Sequence, residues 1–422
     1  MTGRQAWIGL TALFLTLVSP SQAREIWTEG VPDPYFEHFL DFYKADPSAM
    51  GRWASGLRNI STDQLNRTLK ALDTTQFTYL YPIEMKGFQL ARHNGIPTWE
   101  LSLMAVRAGK LVPIPFQIDE FDKTGLIWIE GHNDHKPEGK PGIFDDFDEL
   151  AFMFRDGGWD RFDPRQHSLK EGRLLEEIRL DSPRNQPRYI YLVRNNSERS
   201  RADYVQVDLD KGRIETTLMQ MDYEPKDFTQ IKGMSPRLGP HKDENVIDNI
   251  YVNISTGIFN QNLRVDLDTR KNIKATPIAV KDGPVRASIL VKARIWYAYL
   301  PTFFSQKFQV DFYEQSVTIP SRFAIGSVKV LKFFMMFLRE PRIHFAIDFH
   351  NLDGARITYD SVYGKGQYGT VDGEMSDFER TLGATRLPGD WLHMDSNQGW
   401  EMFFSNHMPV VPDGLFDAFL NG

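Results

Sequence analysis

Cysteine is missing altogether from the 422 residues. That excludes a disulfide framework, a thiol nucleophile, a thiolate metal site and a lipid-modified cysteine. Stability must come from an ordinary apolar core, which a chain of this length can supply. An excess of basic charge is missing too: 49 Lys and Arg stand against 56 Asp and Glu, a formal net charge of -7. Neither nucleic acid nor an anionic membrane surface is then the expected partner. Long apolar runs are few. Ala6 to Val18 is one, and Val328 to Leu338, interrupted by two lysines, is the other. Both are too short for a relaxed transmembrane helix, so no span is expected in the mature chain. The nucleophile elbow Gly-x-Ser-x-Gly, the phosphate loop, the dinucleotide fingerprint and His-Glu-x-x-His are all absent.

The first residues have a pattern of their own. Arg4 is followed by the apolar run Ala6 to Val18 and then by Ser21-Gln22-Ala23. A basic start, a short apolar stretch and small residues at a cleavage point are the parts of a secretory signal peptide. The expectation is an exported protein, periplasmic or secreted, with a mature chain from about Arg24. Residues 24–75 read as a small helical lead-in, with Ser61 and Gln64 as a capping box ahead of Leu65, Leu69 and Leu72. That segment is the candidate contact for an envelope protein partner.

From residue 76 to 422 the period is that of strands, and one β-sandwich domain is expected. Trp99 to Val106 and Leu111 to Ile118 are joined by Arg107-Ala108-Gly109-Lys110, a hairpin connection. Further runs follow at Tyr189–Val193, Tyr204–Leu209, Ile214–Met219, Val246–Ile258, Val285–Trp296, Phe303–Tyr313, Ile343–Phe349 and Trp400–Phe404. Intervals this short leave no room for crossover helices, so the pattern predicts a mainly-β, antiparallel β-sandwich. The Pro- and Lys-rich span Asp222 to Asp243 reads as a long loop, a candidate joint or lid.

Acidity is concentrated in one place. Between Asp119 and Asp163 there are 13 Asp or Glu against 5 Lys or Arg. Asp119 and Glu120 close one strand, and Asp148 and Glu149 belong to the run Asp145 to Glu149 that opens another. If the strands pair, three or more carboxylates converge at a common end. Such a cluster suits calcium or another divalent cation through oxygen ligands, or two carboxylates doing acid/base work. Turn-forming acids that cap a hairpin account for it equally.

The second constellation is Ile343 to His350. Period two places His344, Ala346, Asp348 and His350 on one face, so Asp348 and His350 form a candidate general-base pair. His344 beside them and Trp159, in Asp156-Gly157-Gly158-Trp159-Asp160, are candidate ligand contacts, the indole as a wall for a sugar ring. A solvent-facing strand and a core tryptophan are the plainer readings. His132-Asn133-Asp134-His135 sits in a Gly/Pro loop with no helical period and reads as a solvated turn.

Three phrases occur together: Pro113-Ile114-Pro115-Phe116-Gln117-Ile118-Asp119-Glu120, then Asp148-Glu149-Leu150-Ala151-Phe152-Met153, then Asp282-Gly283-Pro284-Val285-Arg286. They resemble a loose group of secreted bacterial β-sandwich proteins near the mutarotase-like and rhamnogalacturonan-lyase-like carbohydrate proteins. The resemblance spans Trp99 to Arg294. It departs from that pattern in the insert Thr124 to Phe144 and in having no recognisable lyase base. It implies a sandwich fold and an exported protein, and it assigns no reaction. The expected role is recognition of a carbohydrate or other polar envelope ligand. A glycan-active lyase, hydrolase or epimerase is one alternative, and a non-catalytic envelope assembly protein is another.

Overall fold

In the computed structural model the described residues are 8–9, 82–180, 187–237, 241–258, 260–297, 300–319, 322–323, 338–359, 367–384, 391–398 and 400–405. The leader apart from residues 8–9, the lead-in 24–75 and most of the apolar run from Val328 lie outside them. The architecture is mainly β and antiparallel, as the sequence predicts.

Chain order runs β1 (Pro82–Lys86), β2 (Leu101–Arg107), β3 (Lys110–Pro113), β4 (Phe116–Asp119), β5 (Glu149–Met153), β6 (Arg173–Leu180) and β7 (Arg188–Arg194). Then come β8 (Val205–Asp208), β9 (Arg213–Thr216), β10 (Met219–Glu224), β11 (Asp227–Pro236), β12 (Ile247–Ile258), β13 (Asn260–Asp268), β14 (Ile273–Asp282), β15 (Arg286–Tyr297), β16 (Leu300–Tyr313) and β17 (Val317–Thr318). The last described elements are β18 (Leu338–Phe349), β19 (Arg356–Tyr359), β20 (Gly369–Thr370), the helix α1 (Asp377–Ala384), β21 (Trp391–Asp395) and β22 (Glu401–Ser405).

Two face-to-face packings carry most of the core. In the first, the sheet β3-β2-β7-β6 lies on the sheet β1-β5-β4. Leu101, Leu103 and Ala105 of β2 and Ile190 and Leu192 of β7 meet Leu150 and Phe152 of β5. The other face of β2 is also covered, Met104 and Val106 packing with Tyr191 and Val193. A strand buried on both faces needs no polar alternation, which is why Leu101 to Val106 is nearly continuously apolar. In the second packing β11-β10-β9-β8 faces β14-β15-β16-β17. Val205, Ile214, Met221 and Tyr223 interlock there with Ala287, Ile289, Val291, Val310 and Phe312. Each such side chain contributes about 1.5–3 kcal/mol when fully buried. Smaller sheets, β13-β12-β18 and β20-β19-β21-β22, and the two-residue pairing of Ile8–Gly9 with Arg322–Phe323 complete the sheets of the described residues.

Three expectations are corrected. Leu111 to Ile118 is not one strand: β3 and β4 belong to different sheets. Pro113 and Pro115 lack the N–H groups that a continuous ladder needs. The span from Asp222 is not a long irregular loop, because β10 and β11 form a hairpin in which Asp222 stands opposite Gly233. Tyr223 and Ile231 bury their side chains in the core, and that packing outweighs the local Pro and Lys content. The run Asp145 to Asp148 is a turn, with strand beginning only at Glu149. Asp145 Oδ1 accepts the Phe147 N–H at 3.0 Å, an Asx-type closure that replaces strand pairing.

Candidate functional site

Strands β4 and β5 do pair, and the register sets Asp119 opposite Glu149. On β1, Lys86 stands opposite Glu149 from the other side. The carboxylates thus converge at a common strand end, and the group that meets them is Arg286, the first residue of β15. Its Nη1 donates to Glu149 Oε1 at 2.7 Å, to Glu84 Oε1 at 3.0 Å and to the Tyr313 hydroxyl at 3.1 Å. Its Nη2 donates to Asp119 Oδ2. Lys281 Nζ lies 3.2 Å from Asp119 Oδ1, and Lys86 Nζ donates to Glu149 Oε2. The Tyr313 hydroxyl donates to Glu84.

The arginine, Asp119 and Glu149 are all within 2% of full burial. Burial opposes the charged forms of Asp119 and Glu149. The adjacent Arg286 more than offsets it, with help from Lys281 and Lys86, so both carboxyls are held below their ordinary range. The same carboxylates hold the Arg286 guanidinium firmly protonated. A guanidinium and two ammonium groups thus meet Asp119 and Glu149, two of the four carboxylates given as candidate cation ligands. Among the described residues no group of three or more His, Asp or Glu side chains is gathered to hold a metal ion.

The three sequence phrases meet in this cluster. Gln117 Nε2 donates to Asp119 Oδ2 at 2.6 Å, and Gln117 Oε1 accepts the N–H groups of Val285 and Arg286 at 3.2 and 2.8 Å. Gly283 passes so close that a Cβ there would stand 2.3 Å from Gln117 Oε1. The Gly-Pro-Val-Arg turn is thus docked on β4 by backbone contact as well as by charge. Sequence reasoning overlooked Arg286, Glu84, Lys86, Lys281 and Tyr313 as participants. The available signal was an arginine entering the apolar run Val285 to Val291, since a buried guanidinium requires carboxylate partners.

Asp148 and Glu120 lie at the edge of this network. Burial raises the Asp148 carboxyl to about 7, against the Asp145 N–H it accepts at 2.9 Å, and the charges of Asp145 and Glu120 push the same way. Beside it the loop 139–148 runs along the segment 87–99. Gly87 N donates to Asp148 O at 2.7 Å, Gly95 N to Phe144 O at 2.9 Å and Thr98 N to Gly142 O at 2.9 Å. Gly87 is pressed against the Asp145 backbone, where a Cβ would fall 1.8 Å from the carbonyl oxygen. Three large apolar side chains are exposed on this rim: Phe88 at 63%, Trp99 at 67% and Phe147 at 52%. The Trp99 ring borders Gly142, and Asp146 Oδ1 accepts the Asn94 side-chain N–H at 2.7 Å.

The remaining candidates lie apart. Asp348 and His350 are exposed, and His350 Nδ1 faces Asp248 Oδ2 at 3.4 Å. Among the described residues no hydrogen bond or ion pair links them to the Arg286 cluster. In the same ladder Asp348 stands opposite Asn249 and His344 opposite Asn253. Trp159 is half-buried with the Arg188 guanidinium 3.9 Å from its ring, so that face is taken by an intramolecular cation–π contact. Nearby, a second buried pair joins Arg155 to Glu314, and the Tyr204 hydroxyl donates to Asp156 at 2.9 Å. Burial raises the Asp156 carboxyl to about 6. His132 and Asp134 serve as acceptors for Lys307 Nζ, each at 2.7 Å.

No protein-family model matches the chain, and no curated protein matches it. Among solved structures, an alpha-mannosidase from Enterococcus faecalis V583 aligns at 12% identity over 82% of this chain and 43% of that one, with a TM-score of 0.29. The chain thus spans less than half of that enzyme's length. A superposition this loose supports no inference about what the chain does. Among the described residues no helix is long and apolar enough to cross a membrane.

Proposed function

We propose that this is an exported, periplasmic or secreted, carbohydrate-recognition protein that binds glycan along the rim formed by segment 87–99 and loop 139–148. The observation that carries the reading is the gathering of Phe88, Trp99 and Phe147, all more than half exposed, around one loop that carries Asp145 and Asp146 and whose Gly142 N–H donates to Glu120. Exposed apolar groups that cluster beside polar ones mark binding surfaces. Flat rings stack on the C–H faces of sugars while carboxylates accept hydroxyl hydrogen bonds, the combination of apolar walls and few polar anchors that ligand sites use. The Arg286 cluster beneath it holds β1, β4, β5 and β15 together and so fixes the strands from which the rim projects.

The test is a glycan array followed by titration calorimetry on the purified mature chain. Binding to a defined set of glycans, lost in Trp99→Ala and Phe147→Ser with the fold intact, is the expected result. Binding nowhere on the array, or unchanged binding in both variants, overturns it.

A catalytic version has one observation in its favour: Asp148, raised to about 7 by burial, sits near Glu120, and a carboxyl raised by its surroundings is a general-acid candidate in glycoside chemistry. Against it, Asp148 is only 1% exposed and its Oδ2 is engaged by the Asp145 N–H. Recognition is therefore the reading adopted. The pair Asp348 and His350 is the separate candidate for a reaction, tested by turnover of polysaccharides in Asp348→Asn and His350→Ala.

A further inference from the structure

Charge can be apportioned around the rim, and it comes out uneven. Glu84, Asp119 and Glu149 are matched by Arg286, Lys86 and Lys281. That network is closed and faces inward. Asp148 is buried, and that burial raises its carboxyl to about 7, so it is only partly charged near neutral pH. What remains beside the aromatic rings is Asp146, exposed, with Glu120 and Asp145, half-buried, and no ion pair ties any of these to a cation among the described residues. Lys140 is the one basic residue within the loop 139–148. The aromatic rim therefore carries a negative surplus at the place where a ligand would lie.

Aromatic faces attract cations through the ring quadrupole, and carboxylates add a charge-assisted hydrogen bond. The two together favour a ligand that has both an apolar ring face and an ammonium group. We infer that the rim selects amine-bearing glycans, polymers of unacetylated amino sugars, over neutral ones of the same backbone. This deepens the glycan-recognition reading and rests on it.

The experiment compares a glucosamine hexamer with an N-acetylglucosamine hexamer by calorimetry on the full mature chain. The amine form should bind about tenfold more tightly at low salt, the size of effect that one or two partly exposed ion contacts give. Added salt should close the gap, because surface pairs are screened. Glu120→Gln together with Asp146→Asn should remove the preference, the amine hexamer losing more affinity than the N-acetyl hexamer until the two bind alike. Both amides keep the acceptor oxygens that bond Gly142 N and the Asn94 side chain, so the loop should hold. Trp99→Ala should weaken both ligands, the amine form somewhat more because it also loses the cation–π contact. Equal affinities, a preference for the neutral hexamer, or a preference that survives salt or the double variant each overturn the amine selectivity and leave glycan recognition standing. Binding of neither hexamer, with no other glycan bound on the array, overturns both.

Discussion

Replacing Arg286 with methionine tests the argument about what joins the first packing to the second. The substitution keeps an unbranched apolar chain of related length and removes the charge. Asp119 and Glu149, 0% and 2% exposed, lose their central partner. Removing one member of a buried ion pair typically costs about 3–5 kcal/mol, because an uncompensated charge stays in a poorly polarisable interior. Lys86 and Lys281 still reach one carboxylate each, so the lower half of that range is expected, a fall in melting temperature of about 4–5 °C for a chain of this length. The pH dependence gives the sharper readout. In the native chain both carboxyls are held below their ordinary pKa, so their stabilising contribution is present above about pH 4 and is lost as pH falls through the lowered values. In Arg286→Met burial acts without its main opponent and the carboxyl pKa values rise. The variant is then penalised most at neutral pH, and the penalty shrinks on acidification as the orphaned groups take up protons. Melting curves of both proteins at pH 7.5 and pH 4.5 should converge at the lower value. A gap below about 1 kcal/mol at neutral pH, or one that does not change with pH, would refute the reasoning. Arg286→Met combined with Asp119→Leu and Glu149→Met should recover much of the loss, since the buried charges then leave together.

Asp148→Asn should stabilise the chain most at pH 8, less at pH 5, and least at about pH 4 or below. The native carboxyl, raised to about 7, binds its proton more tightly in the folded state, so stability falls as pH rises from the unfolded value towards 7. The gain is at most about 4 kcal/mol, read as a pH-dependent difference in urea midpoint, and equal midpoints at pH 8 would contradict the burial argument. Gly283→Ala should cost about 1–3 kcal/mol, because its Cβ would stand 2.3 Å from Gln117 Oε1 and undock the turn that carries Arg286. An unchanged melting temperature would show that the turn is not held there. Phe152→Ala, emptying a fully buried position between the first two sheets, should cost about 3–5 kcal/mol in chemical denaturation. Dialysis against a chelator should leave the melting temperature unchanged, since Arg286 and two lysines neutralise Asp119 and Glu149. A shift of several degrees, reversed by calcium, would restore a cation to this locus.

The parts of this structure that the sequence discloses are those set by local pattern. Ala108-Gly109, both at positive φ, makes the β2–β3 turn visible as a hairpin connection. Alternation over Ala346 to His350 gives the exposed face correctly. The errors fall where a local signal competes with packing that arrives from far along the chain. Lys226 and Lys232 make the β10–β11 hairpin look like a loop, whereas Tyr223 and Ile231 are decided by a core shared with β15 and β16. Pro113 and Pro115 sit inside one apolar run that the fold divides between two sheets.

The acidic block shows why a charge count reads as a cation site when the partner is remote in sequence. Asp119 and Glu149 are both visible as surplus acid between residues 119 and 163, and the surplus invites a metal. Their partner Arg286 stands 167 residues from one and 137 from the other. No local count can include it. Pairing at that range depends on the turn Asp282–Val285 docking on Gln117, where backbone approach at Gly283 acts together with the charges. The phrases that looked related in sequence are therefore related by contact: Gln117 and Asp119 from the first, Glu149 from the second, Gly283 and Arg286 from the third. Once those charges are taken up inside, the acidity left for a ligand is Glu120, Asp145 and Asp146. It is on these three, beside Trp99 and Phe147, that a search for binding should concentrate.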